Sequence, residues 1–207
     1  MNAPVVTRKD QRREAILAVA AEVFFEEGYQ AASMSTIAAR LGGSKATLYN
    51  YFDSKEALFE AYIRESCGQI AAEILDFTDD QAPATVLARF GERFLDRILS
   101  ERMVRTFQII VAEARRTPEL ARMFFATGPS IGHDRLALYL RAAAGRGELE
   151  IADYDEAAWQ FFALCRTHHL QDMLSLRPKP SPDRIAAEVA NAVDIFMARY
   201  GTALAAA

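Results

Sequence analysis

Cysteine is scarce in this sequence of 207 residues, which has only Cys67 and Cys165. A disulfide-rich secreted domain needs many cysteines, and a cysteine zinc site needs closely spaced pairs such as CxxC. Neither pattern is present, so the sequence predicts neither class of protein. Apolar packing is the expected role of the two thiols, with oxidation sensing as the alternative.

A long hydrophobic run is also missing. No stretch approaches the ~20 apolar residues of a membrane helix, and the first residues show no signal-peptide pattern. The sequence therefore predicts a cytoplasmic protein with no membrane partner. Its net charge of −4 excludes a chain coated in positive charge, but a local basic patch for nucleic acid remains compatible with it.

Sequence motifs of catalysis and metal binding are absent as well. There is no glycine-rich phosphate loop and no nucleophile elbow. Reactive groups are present, but their spacing does not join them into a site; they belong to Glu113, His133, Asp134 and Cys165. His133, His168 and His169 form no i, i+4 pair of the kind that binds a metal on a helix. We therefore expect no catalytic residues, no metal and no cofactor, although an all-α enzyme remains the rival interpretation.

Helical periodicity dominates the chain, and 51% of its residues are hydrophobic, enough for a sizeable core. The pattern predicts an all-α fold of about nine or ten helices. Three short helices form a helix-turn-helix domain in residues 1–55, and a larger helical bundle follows in residues 56–207. Ser33 and Ser44 are expected N-caps, and Gly28 an expected C-cap. The predicted helices span about 7–27, 34–41, 45–52, 55–75, 84–100, 102–116, 118–126, 129–145, 154–176 and 182–200.

The two short helices on either side of Gly42-Gly43 form a candidate helix-turn-helix. Leu48 and Phe52 lie one turn apart and are expected to dock inward, which turns the polar side chains of the third helix outward. Exposed tyrosines on a short helix suit hydrogen bonds to phosphates or base edges. The predicted DNA-binding residues are Ser44, Lys45, Ala46, Thr47, Tyr49, Asn50, Tyr51 and Lys55.

Charge supports this interpretation only through its placement. Residues 1–55 contain seven basic and six acidic residues, a balance of +1. Four of the basic residues cluster at the start of the first helix, where a phosphate backbone could approach them. These residues are Arg8, Lys9, Arg12 and Arg13.

Residues 44–52 (SKATLYNYF) and 54–58 (SKEAL) resemble the signature of the TetR family of repressors, and the likeness extends over about residues 10–60. Gly43 and Ala46 depart from the usual pattern, which has a small apolar residue and glycine at these positions. The resemblance implies that Lys45 and Ala46 enter the major groove and that Lys55 holds a phosphate. It also implies a homodimer on a near-palindromic double-stranded operator.

Residues 107–121 and 192–196 resemble the C-terminal domain of the AefR-like subgroup. The resemblance implies release by a small hydrophobic or aromatic effector and dimerisation through the last two long helices. The implied pocket residues are Phe90, Phe94, Phe107, Phe124, His133, Trp159, Phe162 and Arg166. The implied interface residues are His169, Met173, Val189, Val193 and Phe196. A constitutive DNA-binding factor with a filled core and no effector is the alternative.

Overall fold

The chain is helical throughout the computed structural model, which describes residues 7–74, 81–167, 169–175 and 178–203. These ranges contain no strand beyond an isolated bridge between Leu149 and Gly201. None of their helices has the length and apolar character that a bilayer span requires. The helices are α1 (Arg8–Ala31), α2 (Met34–Arg40), α3 (Lys45–Tyr49), α4 (Lys55–Ile74), α5 (Pro83–Ile98), α6 (Glu101–Glu113), α7 (Pro118–Thr127), α8 (Pro129–Gly145), α9 (Tyr154–Cys165), α10 (His169–Ser175) and α11 (Pro182–Tyr200).

The first of two compact units consists of Met1–Cys67 together with Ile109–Phe124. The apolar stripe of α1 forms much of its core, as its helical spacing predicts. The rings of Phe24 and Phe59 meet edge to face with centroids 5.0 Å apart. The buried residues of this stripe are Ile16, Leu17, Ala20, Val23 and Phe24.

The ends of the first helices follow the predicted caps. Gly28 has a positive φ of 77° and interrupts α1 where a C-cap is expected, although helical hydrogen bonding resumes as far as Ala31. The Ser33 hydroxyl accepts a hydrogen bond from the Thr36 N–H at 3.1 Å, which caps α2. Local sequence therefore sets the end of α1 and the start of α2.

The second unit consists of Gly68–Gln108 together with Phe125–Ala207. In it, α5 packs against α11, and α9 packs against α8, α11 and α5. The connection from α8 to α9 is held to the end of α11, because the Glu150 N–H donates to the Tyr200 carbonyl at 2.8 Å. The core includes Phe90, Leu136, Leu140, Phe161, Val189 and Phe196.

The single helix predicted over 154–176 is wrong, because the chain forms α9 and α10 instead. Arg166 leaves the helical conformation, with φ −95° and ψ 10°. The Thr167 hydroxyl donates to the Leu164 carbonyl at 2.7 Å, which satisfies one of the acceptors left free at the end of α9. The buried His169 then opens α10, with its ring between the carboxylates of Asp172 and Glu188.

Candidate functional site

A tight turn at Gly42-Gly43 joins α2 to α3. Gly42 has φ 63°, a conformation that side chains with a Cβ rarely adopt, so glycine suits this position. Gly43 has no such requirement, because an added Cβ would approach only the mobile end of Arg12, at 3.4 Å. The departure from the usual pattern at Gly43 therefore does not disturb the geometry of the turn.

The third helix is fixed on its inner side and at its start. The Ser44 hydroxyl accepts from the Thr47 N–H at 3.1 Å and caps α3. Leu48 is 2% exposed and Phe52 is 7% exposed, so both dock inward, which confirms the prediction. The Arg13 guanidinium covers the Phe52 ring at 5.6 Å from its centroid. This short helix therefore has a defined orientation on its unit.

The opposite side of α3 presents polar groups to solvent. Thr47 and Tyr51 are partly buried at the edges of this surface. Tyr49 is 42% exposed, and the Lys45 ammonium lies 5.9 Å from the centroid of its ring. Hydroxyl, amide and ammonium groups on one short helix suit contacts with phosphates and base edges. The exposed members of the predicted set are Ser44, Lys45, Ala46, Tyr49 and Asn50.

Ion pairs separate the cations of this unit into two groups. Arg13 pairs with Glu65 at 2.9 Å, and Arg40 pairs with Glu26 at 2.5 Å, so neighbouring carboxylates offset both charges. The other group forms no ion pair with the described residues. A balance of +1 thus still leaves cations free to meet phosphates. On α1 and α3 these unpaired cations are Arg8, Lys9, Arg12 and Lys45.

Lys55 has a structural role that the sequence did not indicate. Its ammonium donates to the carbonyls of Tyr29, at 2.7 Å, and Gln30, at 3.3 Å. It also lies 4.5 Å from the centroid of the Tyr29 ring. An ammonium has three N–H donors, so one remains for a phosphate. Substitution of Lys55 would therefore disturb the end of α1 as well as any contact with DNA.

Tyr29 connects this region to α4. Its hydroxyl donates to Glu56 Oε1 at 3.3 Å, and its ring is buried. Burial and the Glu56 carboxylate both raise the pKa of the Tyr29 hydroxyl, so it stays protonated and remains a donor. Tyr29, Lys55 and Glu56 thereby fix the start of α4 against the end of α1.

Most of the predicted pocket residues form an aromatic cluster in the second unit. The rings of Phe94 and Phe162 meet at 4.8 Å, and those of Phe90 and Phe162 at 5.6 Å. His133 and Trp159 stack at 4.5 Å with their planes 23° apart. Phe107 packs against the core of this unit, and Phe124 is buried on α7 in the first unit.

Both ring nitrogens of His133 face hydrogen-bond acceptors in this cluster. Its Nε2 lies 3.0 Å from the Asp155 carbonyl oxygen, which only accepts hydrogen bonds, so Nε2 carries a proton. Its Nδ1 lies 3.1 Å from the Asp134 carboxylate. Among the described residues, no three His, Cys, Asp or Glu side chains are grouped as ligands for a metal ion. His168 lies outside the described residues.

The residues predicted for the dimer interface are buried in the chain's own core. Their exposed fractions are at most 8%, which leaves almost no surface for a partner. Helical periodicity marks them as apolar, but it does not show that the same chain already covers them. The residues concerned are His169, Met173, Val189, Val193 and Phe196.

A neighbouring face of α9 and α11 is open instead. A groove of about 390 Å³ runs between these helices and is lined mainly by apolar atoms. Ile195 is 48% exposed at this groove. The Tyr200 hydroxyl donates to Gln160 Oε1 at 2.5 Å across it. The lining residues are Gln160, Ala163, Leu164, Thr167, Ile195, Phe196, Arg199 and Tyr200.

Both cysteines are buried free thiols. Burial raises the pKa of Cys67 to about 11 and that of Cys165 to about 12. The thiolate is the form that reacts with oxidants, and it is disfavoured at both positions. These environments favour apolar packing over oxidation sensing.

Family comparisons agree with this arrangement. Residues 16–62 match the bacterial regulatory proteins of the tetR family. Residues 85–202 match the C-terminal domain of AefR-like transcriptional repressors. The transcriptional regulator UidR of Escherichia coli K12 is 30% identical over 148 residues, which cover 69% of this chain and 71% of UidR. An uncharacterized HTH-type transcriptional regulator of Mycobacterium tuberculosis is 30% identical over 143 residues, which cover 69% of this chain and 59% of that protein.

Solved structures show the same architecture. The Flavonoid-responsive Regulator FrrA superposes with a TM-score of 0.79 at 33% identity, over 93% of this chain and 98% of FrrA. A TetR-family regulator from Mesorhizobium loti superposes with a TM-score of 0.86 at 24% identity, over 95% of this chain and all of that structure, which supports the fold alone. The capped helix-turn-helix, both family matches and these relatives together show that the chain belongs to the TetR family of DNA-binding transcriptional regulators.

Proposed function

We propose that this protein is a homodimeric transcriptional repressor that binds a near-palindromic operator and is released by a small aromatic effector. The proposal rests on the geometry of α3. Ser44 caps this helix, Leu48 anchors it, and its polar side chains are exposed. A single helix of this length reads only a few base pairs. Two copies related by a two-fold axis would read two half-sites about one helical turn, or a multiple of it, apart.

Operator binding is expected to weaken when the outer face of α3 is changed. Tyr49→Ala should cost about 1–3 kcal/mol, because it removes a hydroxyl and a ring from the exposed face. Lys45→Ala should lower the slope of log affinity against log salt concentration by about one, because one phosphate contact is lost. Fluorescence anisotropy at several salt concentrations measures both effects, on a duplex that the wild-type protein selects from random sequences.

Arg40→Ala is the matched control for Lys45→Ala. It also removes one exposed cation of the first unit, but that cation is already paired with Glu26 and Glu27. The control is expected to keep the salt dependence of wild type. If Tyr49→Ala and Lys45→Ala bind like the control, α3 is not the DNA-reading element.

Dimerisation is proposed to use the open groove between α9 and α11. A second copy related by a two-fold axis would present the same two helices, which gives a four-helix arrangement. The side chains of Ile195 and Leu164 would then be buried against apolar groups of the second copy, and this burial favours association. The buried residues that the sequence predicts for the interface would pack beneath the exposed residues of the groove.

Effector release is proposed from the aromatic cluster of the second unit. Apolar and aromatic walls with a few polar groups are typical of small-molecule sites. FrrA, which resembles this chain along nearly its whole length, is named as responsive to flavonoids. We therefore expect small aromatic compounds to raise the melting temperature of the protein and to weaken operator binding.

The effector test uses Phe94→Ala as the pocket variant and Leu138→Ala as its control. Phe94 belongs to the aromatic cluster, whereas Leu138 is exposed on α8. A bound compound should stabilise wild type and the control but not Phe94→Ala. If a broad aromatic panel neither stabilises the protein nor changes operator affinity, a constitutive DNA-binding factor becomes the better interpretation.

A further inference from the structure

One face of α9 carries an aromatic ring at its middle, and a guanidinium follows at its C-cap. Trp159 and Arg166 are seven residues apart, which places them about 10 Å apart along the axis and about 20° apart around it. Phe162 lies between them on the same side of the helix. Trp159 is 42% exposed, Phe162 is buried and Arg166 is exposed, so both ends of this stripe are accessible.

The Arg166 guanidinium lacks an acidic partner in the part of the chain that the structure describes. Its Nε donates to the Phe162 carbonyl at 3.1 Å, which fixes the orientation of the side chain. Its two terminal amino groups have no protein acceptor among those residues, so four N–H donors remain. Other arginines of the second unit, such as Arg146 and Arg184, are paired with carboxylates.

The surroundings of Arg166 partly desolvate its guanidinium. Although the side chain is accessible to solvent, partial desolvation lowers its pKa. Reduced hydration strengthens the attraction of a guanidinium for an anion. The group is therefore accessible to a ligand, and its partial desolvation favours pairing with an anion.

Trp159 is held in place despite its exposure. Its ring stacks on His133 at 4.5 Å, and the His133 ring is fixed by its hydrogen bond to the Asp155 carbonyl. A fixed and exposed indole offers a flat surface on which an aromatic ring can stack. The stripe thus combines a stacking surface with an oriented cation.

We propose that the effector is an aromatic monocarboxylate whose carboxylate binds Arg166 and whose ring stacks on the exposed face of Trp159. The stripe carries one guanidinium, whose planar pair of amino groups matches one carboxylate in a bidentate arrangement. A compound with more than one negative charge would leave charge uncompensated at this face. This inference rests on the proposed effector response and specifies the chemistry of the ligand.

The test compares acids with their uncharged analogues at pH 7.5. The probes are 2-naphthoate, trans-cinnamate and indole-3-acetate, each paired with its primary amide, which has nearly the same shape. Isothermal titration calorimetry on the full chain is expected to show at least one acid binding about tenfold or more tightly than its amide. Arg166→Met should abolish that preference by weakening the acid alone, and Arg166→Lys should retain part of it.

Arg135→Met is the matched control, because it removes an exposed arginine of the same unit that forms no ion pair with the described residues. It should bind the acid like wild type. The proposal is overturned if no acid binds more tightly than its amide. It is also overturned if Arg166→Met and Arg135→Met bind the acids equally well.

Operator release is measured separately, so that the two proposals fail independently. If the neutral amides release the operator as well as the acids do, the repressor remains effector-responsive and the carboxylate site is excluded. If an acid binds through Arg166 but no compound changes operator affinity, the carboxylate site stands and effector control is excluded.

Discussion

Ile195→Glu is expected to give a folded monomer, whereas Phe196→Glu is expected to unfold the second unit. The two residues are neighbours on α11, yet Ile195 is 48% exposed at the groove and Phe196 is 1% exposed. In the proposed dimer, a charge at Ile195 would face the partner chain and prevent its association, because an unpaired carboxylate in an apolar interface is costly. The same charge at Phe196 would lie inside the core of its own chain.

The loss of stability expected for Phe196→Glu has two causes. Its ring contacts Phe161 at 5.4 Å and Tyr200 at 4.8 Å, and truncating a buried phenylalanine costs about 3–5 kcal/mol. Burial of an unpaired carboxylate adds to this cost. Small domains have only about 5–15 kcal/mol of stability, so the sum is enough to unfold many of them.

Light scattering coupled to size-exclusion chromatography, together with circular dichroism, separates the two outcomes. Ile195→Glu should show half the wild-type mass and retain its helical signal. It should also bind the operator about 100-fold or more weakly, because the second half-site no longer adds to the first. Leu138→Glu, at an exposed position on α8, should remain a dimer. A dimeric Ile195→Glu protein would place the interface elsewhere.

The helix-turn-helix region was largely predictable from its sequence, because the caps and spacings that define it are local. Ser33 and Ser44 cap the helices that follow them, and Gly28 interrupts α1 at the expected point. The inward side of α3 follows from the four-residue spacing of Leu48 and Phe52. Caps and spacings of this kind depend on residues within about one turn of one another.

The parts that were missed depend on residues far apart in the chain. The break before His169 involves Glu188, nineteen positions later, and no local pattern indicates it. Lys55 was recognised by its motif, but its bond to the Tyr29 carbonyl spans 26 residues. On α11 the sequence indicated Phe196 as an interface residue and did not indicate Ile195, because only the fold shows that Phe196 is buried and that Ile195 is exposed.

Gly91→Val is expected to destabilise the second unit by about 3 kcal/mol, at the upper end of the usual cost of overpacking. Gly91 lies on α5 where that helix packs against α11. A Cβ added there would lie 2.7 Å from Val189 Cγ1 and 3.4 Å from Cys165 Sγ. Val189 is fully buried, so neither helix has room to accept two further methyl groups without separating from the other.

Gly145→Val is the control, because a Cβ at Gly145 on α8 meets no atom within 4 Å. Valine has a somewhat higher helix propensity than glycine, so this variant should match or slightly exceed wild-type stability. Urea unfolding followed by circular dichroism compares the midpoints, provided that the slopes agree. Equal midpoints for the two variants would contradict the close approach of α5 and α11. A lower midpoint for Gly91→Val alone would show that glycine is required there by the packing of the two helices, since Gly91 has no positive φ.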